Sequence, residues 1–144
     1  AVLYEATEEF KIGGSKVLKQ SDTDVMTVVA TGITVSEALK AYDYLQQENI
    51  NIRIVDCYSL APIDRDTLIA SAQATKIKTL ITVEDHFAHG GLGDYVNAAV
   101  ADQDIHVTKM AVIKHSHSGT KDQLLDDAGI SAKHIVEKVK SLIK

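Results

Sequence analysis

The chain has 144 residues, close to the commonest size of a single domain, and 45% of them are hydrophobic while 24% are charged. This balance is typical of a folded globular protein and excludes wholesale disorder and a collagen-like fibre. The net charge of −5 disfavours a general nucleic-acid role, and no apolar run approaches the roughly 20 residues of a membrane span, so we expect neither nucleic acid nor a membrane as partner.

The first half of the chain alternates strand and helix patterns. A β-branched run at 25–30 predicts a buried strand. Thr34 and Glu37 have the spacing of a capping box and precede apolar residues at helical spacing, which predicts a helix. Alternating isoleucines at 50–54 predict a second strand, and Asp64 predicts the N-cap of a second helix.

The second half continues this alternation. Residues 80–83 predict a third strand, and a glycine-rich turn at 90–93 leads into a helix. A fourth strand is predicted within 105–113. Gly129 then separates two final helices, with Ser131 as the predicted N-cap of the last one. Strands that alternate with helices predict an α/β fold with a mostly parallel sheet and helices on both faces, and residues 16–18 add a candidate edge strand.

The turn after the third strand is the first candidate site, because ligands in open α/β sheets bind where strands end and helices begin. Gly90, Gly91, Leu92 and Gly93 open a helix, and free amides at a helix N-terminus favour an anion. Their spacing lacks the dinucleotide fingerprint and the lysine of a P-loop. The alternative interpretation is that the glycines only permit a tight turn and close helix packing.

Three residues just before this turn form a second candidate group: Glu84, Asp85 and His86. Adjacent side chains in an extended segment point to opposite faces, which argues against joint acid–base or metal chemistry. We therefore interpret them as loop-organising residues, with Glu84 accepting hydrogen bonds from loop amides. His115 and His117 have no visible third ligand, so we expect no metal site on this chain.

Cys57 is the only cysteine, so neither an internal disulfide nor a thiolate-rich zinc site can form. It lies at a predicted strand end among apolar residues, and we interpret it as a buried structural thiol rather than a nucleophile. A single cysteine favours a reducing compartment, and we expect a cytoplasmic location.

The string TVEDHFAHGGLGDYV at 82–96 resembles the hallmark of the C-terminal domain of transketolases. The resemblance covers nearly the whole chain and extends to segments 31–38, 51–64 and 118–130, while 9–13 resembles the connection from a preceding pyrimidine-binding domain. It is strongest to the animal-type transketolases. Related C-terminal domains occur in 1-deoxyxylulose-5-phosphate synthase and in the β subunits of 2-oxoacid dehydrogenases.

The resemblance implies a three-layer α/β/α fold with a five-stranded, mostly parallel mixed sheet. Residues 1–20 would be a connecting segment and 21–144 the domain itself. The implied enzyme transfers a two-carbon ketol unit from a ketose phosphate to an aldose phosphate in the pentose phosphate pathway, using thiamine diphosphate and a divalent metal, Mg²⁺ or Ca²⁺. In this family the catalytic and cofactor-binding residues belong to upstream domains. We therefore expect no catalytic residue and no cofactor on this chain, and no activity from it alone.

The implied role is that of a C-terminal domain or small subunit of a transketolase, with structural and subunit-organising duties and a candidate regulatory pocket. Its partners would be thiamine diphosphate-binding domains or a subunit of the same enzyme, which would be a homodimer at full length. We expect an exposed apolar patch that includes residues 2–4 and Phe10. The alternatives are a free-standing anion-binding α/β module and the C-terminal domain of a 2-oxoacid dehydrogenase β subunit.

Overall fold

A five-stranded mixed sheet organises residues 2–144, the part of the chain that the computed structural model describes. In chain order its strands are β1 (Lys16–Lys19), β2 (Thr27–Ala30), β3 (Arg53–Asp56), β4 (Thr79–Phe87) and β5 (His106–Val112). Their order across the sheet is β1-β3-β2-β4-β5. Strand β1 is antiparallel to β3, and the other pairs are parallel.

Helices cover both faces of this sheet. They are α1 (Thr34–Gln47), α2 (Arg65–Gln73), α3 (Leu92–Val100), α4 (Lys121–Asp127) and α5 (Ala132–Leu142). The predicted three-layer α/β/α fold is confirmed. Among residues 2–144, no helix is long and apolar enough to cross a lipid bilayer.

The alternation of side chains along the strands divides the core into two layers. In β2, Val28 belongs to the cluster that packs against α1 and α5, whereas its neighbour Val29 belongs to the cluster that packs against α2 and α3. Both side chains are fully buried. A strand that is buried on both faces has a continuous run of apolar residues in its sequence. The apolar run at 25–30 therefore predicts strand β2.

Strand β1 forms the antiparallel edge of the sheet. It lies inside residues 1–20, which we assigned to a connecting segment, yet Val17 pairs with Val55 and Lys16 pairs with Asp56 of β3. The prediction of an edge strand at 16–18 is confirmed. This part of the segment therefore pairs with the sheet.

Two of the three predicted helix caps differ from expectation. Asp64 caps α2 as predicted, since its Oδ1 accepts from the Thr67 amide at 3.1 Å. The predicted capping box at Thr34 and Glu37 is absent. Thr34 is the first residue of helix α1 rather than its N-cap, and the Thr34 hydroxyl donates to the Val83 carbonyl of β4 at 2.7 Å. Ser131 occupies the N-cap position of α5, but its side chain makes no capping hydrogen bond.

Glu37 caps α5 in place of Ser131. Its Oε2 accepts from the Ala132 amide at 2.9 Å, and its Oε1 accepts from Lys40 at 2.7 Å. The Glu37 side chain is buried between the two helices that pack on this face of the sheet. A carboxylate that is far away in sequence therefore fixes the start of the last helix.

Candidate functional site

Strand β4 extends further than predicted and carries the candidate acidic residues within the sheet. It ends at Phe87, so Glu84, Asp85 and His86 are all strand residues. Glu84 is only 1% exposed, while Asp85 and His86 are exposed. The alternation that we used to separate Glu84 from Asp85 is present in the structure.

The Glu84 carboxylate binds the N-terminus of helix α3. Its Oε1 accepts from the Leu92 amide at 2.9 Å, and its Oε2 accepts from the Gly93 amide at 2.7 Å. The first amides of a helix have no partner within the helix and attract negative charge. Glu84 thus supplies negative charge to this helix N-terminus from within the chain, and the geometry favours the structural interpretation of the turn.

Gly91 is required here because the backbone approaches a side chain closely. A Cβ atom at this position would lie 1.7 Å from Oε1 of Glu84 and 2.9 Å from Nδ1 of His86. Its φ of −106° is open to any residue, so a left-handed conformation is not the reason. Gly90 has a φ of +79°, and its amide donates to Oδ2 of Asp94 at 2.6 Å.

Lys109 of β5 fixes the outer side of the same turn. Its Nζ donates to Oδ1 of Asp94 at 2.5 Å and to the carbonyl of Ala88 at 2.6 Å. The hydrogen bond from Lys109 holds the pKa of Asp94 below its ordinary value. The lysine stem also runs beside Gly93, where an added Cβ would lie 2.6 Å from its Cε. This ion pair could not be predicted from the sequence, because Lys109 and Asp94 lie on different elements and form no local motif.

The histidines do not build a metal centre. His86 Nδ1 lies 3.8 Å from Oε1 of Glu84 and 2.9 Å from the Phe87 carbonyl. His115 packs edge-on against the Phe87 ring, with the ring centroids 5.6 Å apart. Within the described residues, no three His, Cys, Asp or Glu side chains converge on a common point. Both carboxylate oxygens of Glu84 accept from α3 amides.

Cys57 has the environment of a structural thiol. It is fully buried at the end of β3, and its Sγ lies 3.5 Å from the Ser59 carbonyl. Burial, together with the negative charges of Asp56 and Asp64, raises the pKa of the thiol to about 12. The thiolate needed for nucleophilic chemistry is therefore scarce at neutral pH.

The N-terminal arm folds back onto the carboxyl end of β3. The Tyr4 hydroxyl donates to Oδ2 of Asp56 at 2.5 Å, and burial raises the pKa of this carboxyl. Phe10 packs edge-on against both Tyr4 and Tyr58, with centroid distances of 4.9 Å. Tyr4, which we expected in an exposed apolar patch, is therefore partly buried.

The same arm nevertheless presents an apolar surface, which we call the arm surface. It comprises Val2, Leu3, Phe10, Ile12 and Val17, whose exposed fractions are 93%, 41%, 47%, 88% and 38%. These side chains belong to the first 17 residues, next to the antiparallel edge strand β1. The exposed apolar side chains of this segment form a candidate interaction surface.

Comparisons with known proteins give a consistent result. The family model described as "Transketolase, C-terminal domain" matches residues 15–135. The chain is 46% identical over 143 residues to Transketolase-like protein 1 of Macaca fascicularis and 40% identical over 144 residues to Transketolase of Homo sapiens. Each alignment covers 99% of this chain but 24% and 23% of the relative, so the chain spans about a quarter of their length.

Solved structures agree with the sequence matches. A chain described as "Split gene transketolase, inactive beta4 tetramer" superposes with a TM-score of 0.88 and 34% identity, covering 98% of this chain and 46% of that one. Transketolase from Campylobacter jejuni superposes with a TM-score of 0.68 over 96% of this chain and 20% of that one. At 19% identity, the second likeness shows the fold alone.

Proposed function

Because this chain belongs to the transketolase C-terminal domain family, we propose that it is the non-catalytic, subunit-organising part of a transketolase. The proposed enzyme transfers a two-carbon ketol unit from a ketose phosphate to an aldose phosphate in the pentose phosphate pathway. Thiamine diphosphate and a divalent metal, Mg²⁺ or Ca²⁺, would supply that chemistry in other domains of the enzyme.

One observation carries the non-catalytic role. The buried acid of the signature segment, Glu84, uses both carboxylate oxygens to bind the amides of Leu92 and Gly93. A general acid or base needs to reach a proton on the substrate, and this carboxylate is directed at its own backbone. The turn where an α/β sheet would normally present its chemistry therefore serves to fix helix α3.

The residues that the structure describes, 2–144, do not fit a bound diphosphate and its metal. Such a metal needs several oxygen ligands around one point. Glu84 is bonded within the turn, its neighbour Asp85 faces the other side of the sheet, and Asp94 is paired with Lys109. We derive no step through the cofactor on these residues.

The proposed partners are the thiamine diphosphate-binding domains, whether on the same chain or on a separate subunit, and a homodimer at full length. The arm surface supports this proposal, because it leaves apolar side chains without cover at one edge of the sheet. The similar split-gene chain, described as an inactive β4 tetramer, supports the view that a chain of this type acts together with another component. The anion-binding module has less support, since Glu84 fills the helix N-terminus.

We also propose that the protein works in a reducing, cytoplasmic environment. The free, buried thiol of Cys57 supports this, because it takes part in no disulfide. Fractionation of the source cells, followed by detection of the chain, tests the location.

Reconstitution tests the proposed function. The 144-residue chain is mixed with a separately produced polypeptide that carries the thiamine diphosphate-binding domains, and ketol transfer from xylulose-5-phosphate to ribose-5-phosphate is measured. We expect activity from the mixture and none from the chain alone. Turnover by the chain alone would contradict the proposal.

A pair of matched variants locates the contact. Ile12 and Ile113 are 88% and 81% exposed, but Ile12 lies beside β1 and Ile113 follows β5 at the opposite edge of the sheet. Ile12→Asp should reduce both complex formation and reconstituted activity, whereas Ile113→Asp should leave both near the parent level. Equal effects of the two changes would exclude the arm surface as the contact.

A further inference from the structure

A small cleft lies on the α4 side of the sheet, away from the Glu84 turn. Its volume is about 330 Å³, and its floor is apolar, formed by Ile33, Val112, Leu124, Leu125 and Ile130. Three polar side chains stand at its rim: Asp85, Ser116 and Lys121. The volume is at the lower end of the range for ligand pockets, roughly 300–1,000 Å³, which suits a small molecule rather than a dinucleotide.

The cleft lies at the point where the connections of the sheet diverge. Strands β2 and β4 are neighbours, but the chain leaves β2 through α1 toward β3 on one side and leaves β4 through α3 toward β5 on the other. Ala30, the last residue of β2, pairs with Val83 of β4. Asp85 therefore lies two residues beyond the end of β2. Ile33 follows β2 directly. Open α/β sheets bind ligands in this crevice.

The two charged residues at the rim, Asp85 and Lys121, carry opposite charges. Within residues 2–144, Asp85 and Lys121 form no ion pair with each other or with any other side chain. The nearby carboxylate of Glu37 is already bound by Lys40 and the Ala132 amide. A positive and a negative group are thus available above one apolar floor.

We infer that this cleft binds a small zwitterion with an apolar side chain, of the class of free α-amino acids. The ammonium group of the ligand donates to Asp85, and its carboxylate accepts from Lys121 and the Ser116 hydroxyl. The apolar side chain of the ligand covers Leu124 and Val112 and removes their surfaces from water. A ligand with one charge would leave the other rim group unpaired, so both charges and the apolar portion contribute to recognition.

Binding of L-leucine to the ¹⁵N-labelled 144-residue chain tests the inference by NMR. We expect saturable shifts confined to amides around Ile33, Asp85, Ser116 and Lys121. Isopentylamine lacks the carboxylate, isocaproate lacks the ammonium and glycine lacks the apolar side chain; each should bind at least about tenfold more weakly. Absence of saturable shifts at millimolar L-leucine, or equal binding of either singly charged analogue, would overturn the inference.

Matched variants separate a built site from weak nonspecific binding. Asp85→Asn and Lys121→Met should each weaken L-leucine binding by at least about tenfold. Asp104→Asn and Lys133→Met change the same charges at exposed positions outside the cleft and should leave binding unchanged. Binding that survives both cleft variants would overturn the inference. The assay needs no turnover, so its outcome is independent of the proposed transketolase role.

Discussion

Glu37 and Glu84 are buried carboxylates on opposite faces of the sheet, and each binds the first amides of a helix that it does not belong to. Glu37 of α1 accepts from the Ala132 amide of α5, and Glu84 of β4 accepts from two amides of α3. A helix N-terminus is a natural site for negative charge. In this domain the chain supplies that charge itself and thereby ties distant elements together.

Replacing Glu84 by glutamine should destabilise the fold without a change of shape. The amide keeps one oxygen for one backbone donor, but its NH₂ group faces the other donor, which leaves a buried N–H without an acceptor. We expect Glu84→Gln to lower the free energy of unfolding by about 1–3 kcal/mol in urea denaturation. The neighbouring residue Asp85 is exposed and provides the control. Asp85→Asn should change the free energy of unfolding by less than about 0.5 kcal/mol. Equal effects would contradict the capping role.

Gly91 should tolerate no side chain. Its Cβ position lies 1.7 Å from Oε1 of Glu84, so Gly91→Ala must displace the buried carboxylate or the start of α3. We expect a loss of about 1–3 kcal/mol, measured by thermal and urea unfolding. Gly119→Ala is the matched control, because the nearest atom to its Cβ position, Oε1 of Gln123, lies 3.3 Å away rather than 1.7 Å. If the Gly91→Ala variant is as stable as the Gly119→Ala variant, the close approach of Gly91 to Glu84 does not limit stability and the prediction is wrong.

Glu37 should make the stability depend on acidic pH. Burial favours the protonated form of this carboxyl, but hydrogen bonds from Lys40 and from the Ala132 amide outweigh burial and hold its pKa below the ordinary value. A carboxyl with a lower pKa in the folded chain stabilises the fold above its unfolded pKa of about 4.3, and this contribution is lost as the pH falls through the folded pKa.

Glu37→Gln should therefore unfold more easily than the parent at pH 7, by about 1–3 kcal/mol, and this difference should shrink as the pH falls below about 4. Urea denaturation across this range measures the difference. Glu137→Gln, an exposed change on α5, should show neither effect. A difference that grows toward low pH would contradict the assigned charge state of Glu37.

The sequence predicts those features that depend on neighbouring residues. The buried run at 25–30, the Asp64 cap and the alternation that separates Glu84 from Asp85 are all local patterns, and the structure contains each of them. The partner of Glu37 could not be predicted, because it lies 95 residues away and the local spacing with Thr34 suggested a capping box instead.

In the turn after β4, too, local features could be predicted from the sequence and long-range contacts could not. Its glycines predict an N-terminus that attracts an anion, and a helix does begin there. The sequence does not show which anion binds these amides. The end of β4 packs against the start of α3 in the tertiary structure, and this packing places Glu84 there. The ion pair of Lys109 and Asp94 joins separate elements in the same way and leaves no signal in the sequence.

Titration with thiamine diphosphate tests whether this chain can hold the cofactor without the other domains of the enzyme. Calorimetry is performed with thiamine diphosphate and Mg²⁺ on the 144-residue chain alone, on the separate thiamine-domain polypeptide and on their complex. We expect no saturable binding to the chain alone and saturable binding to the complex, because residues 2–144 bring no three His, Cys, Asp or Glu side chains together around a point where a metal could bind. Saturable micromolar binding to the 144-residue chain by itself would contradict this expectation.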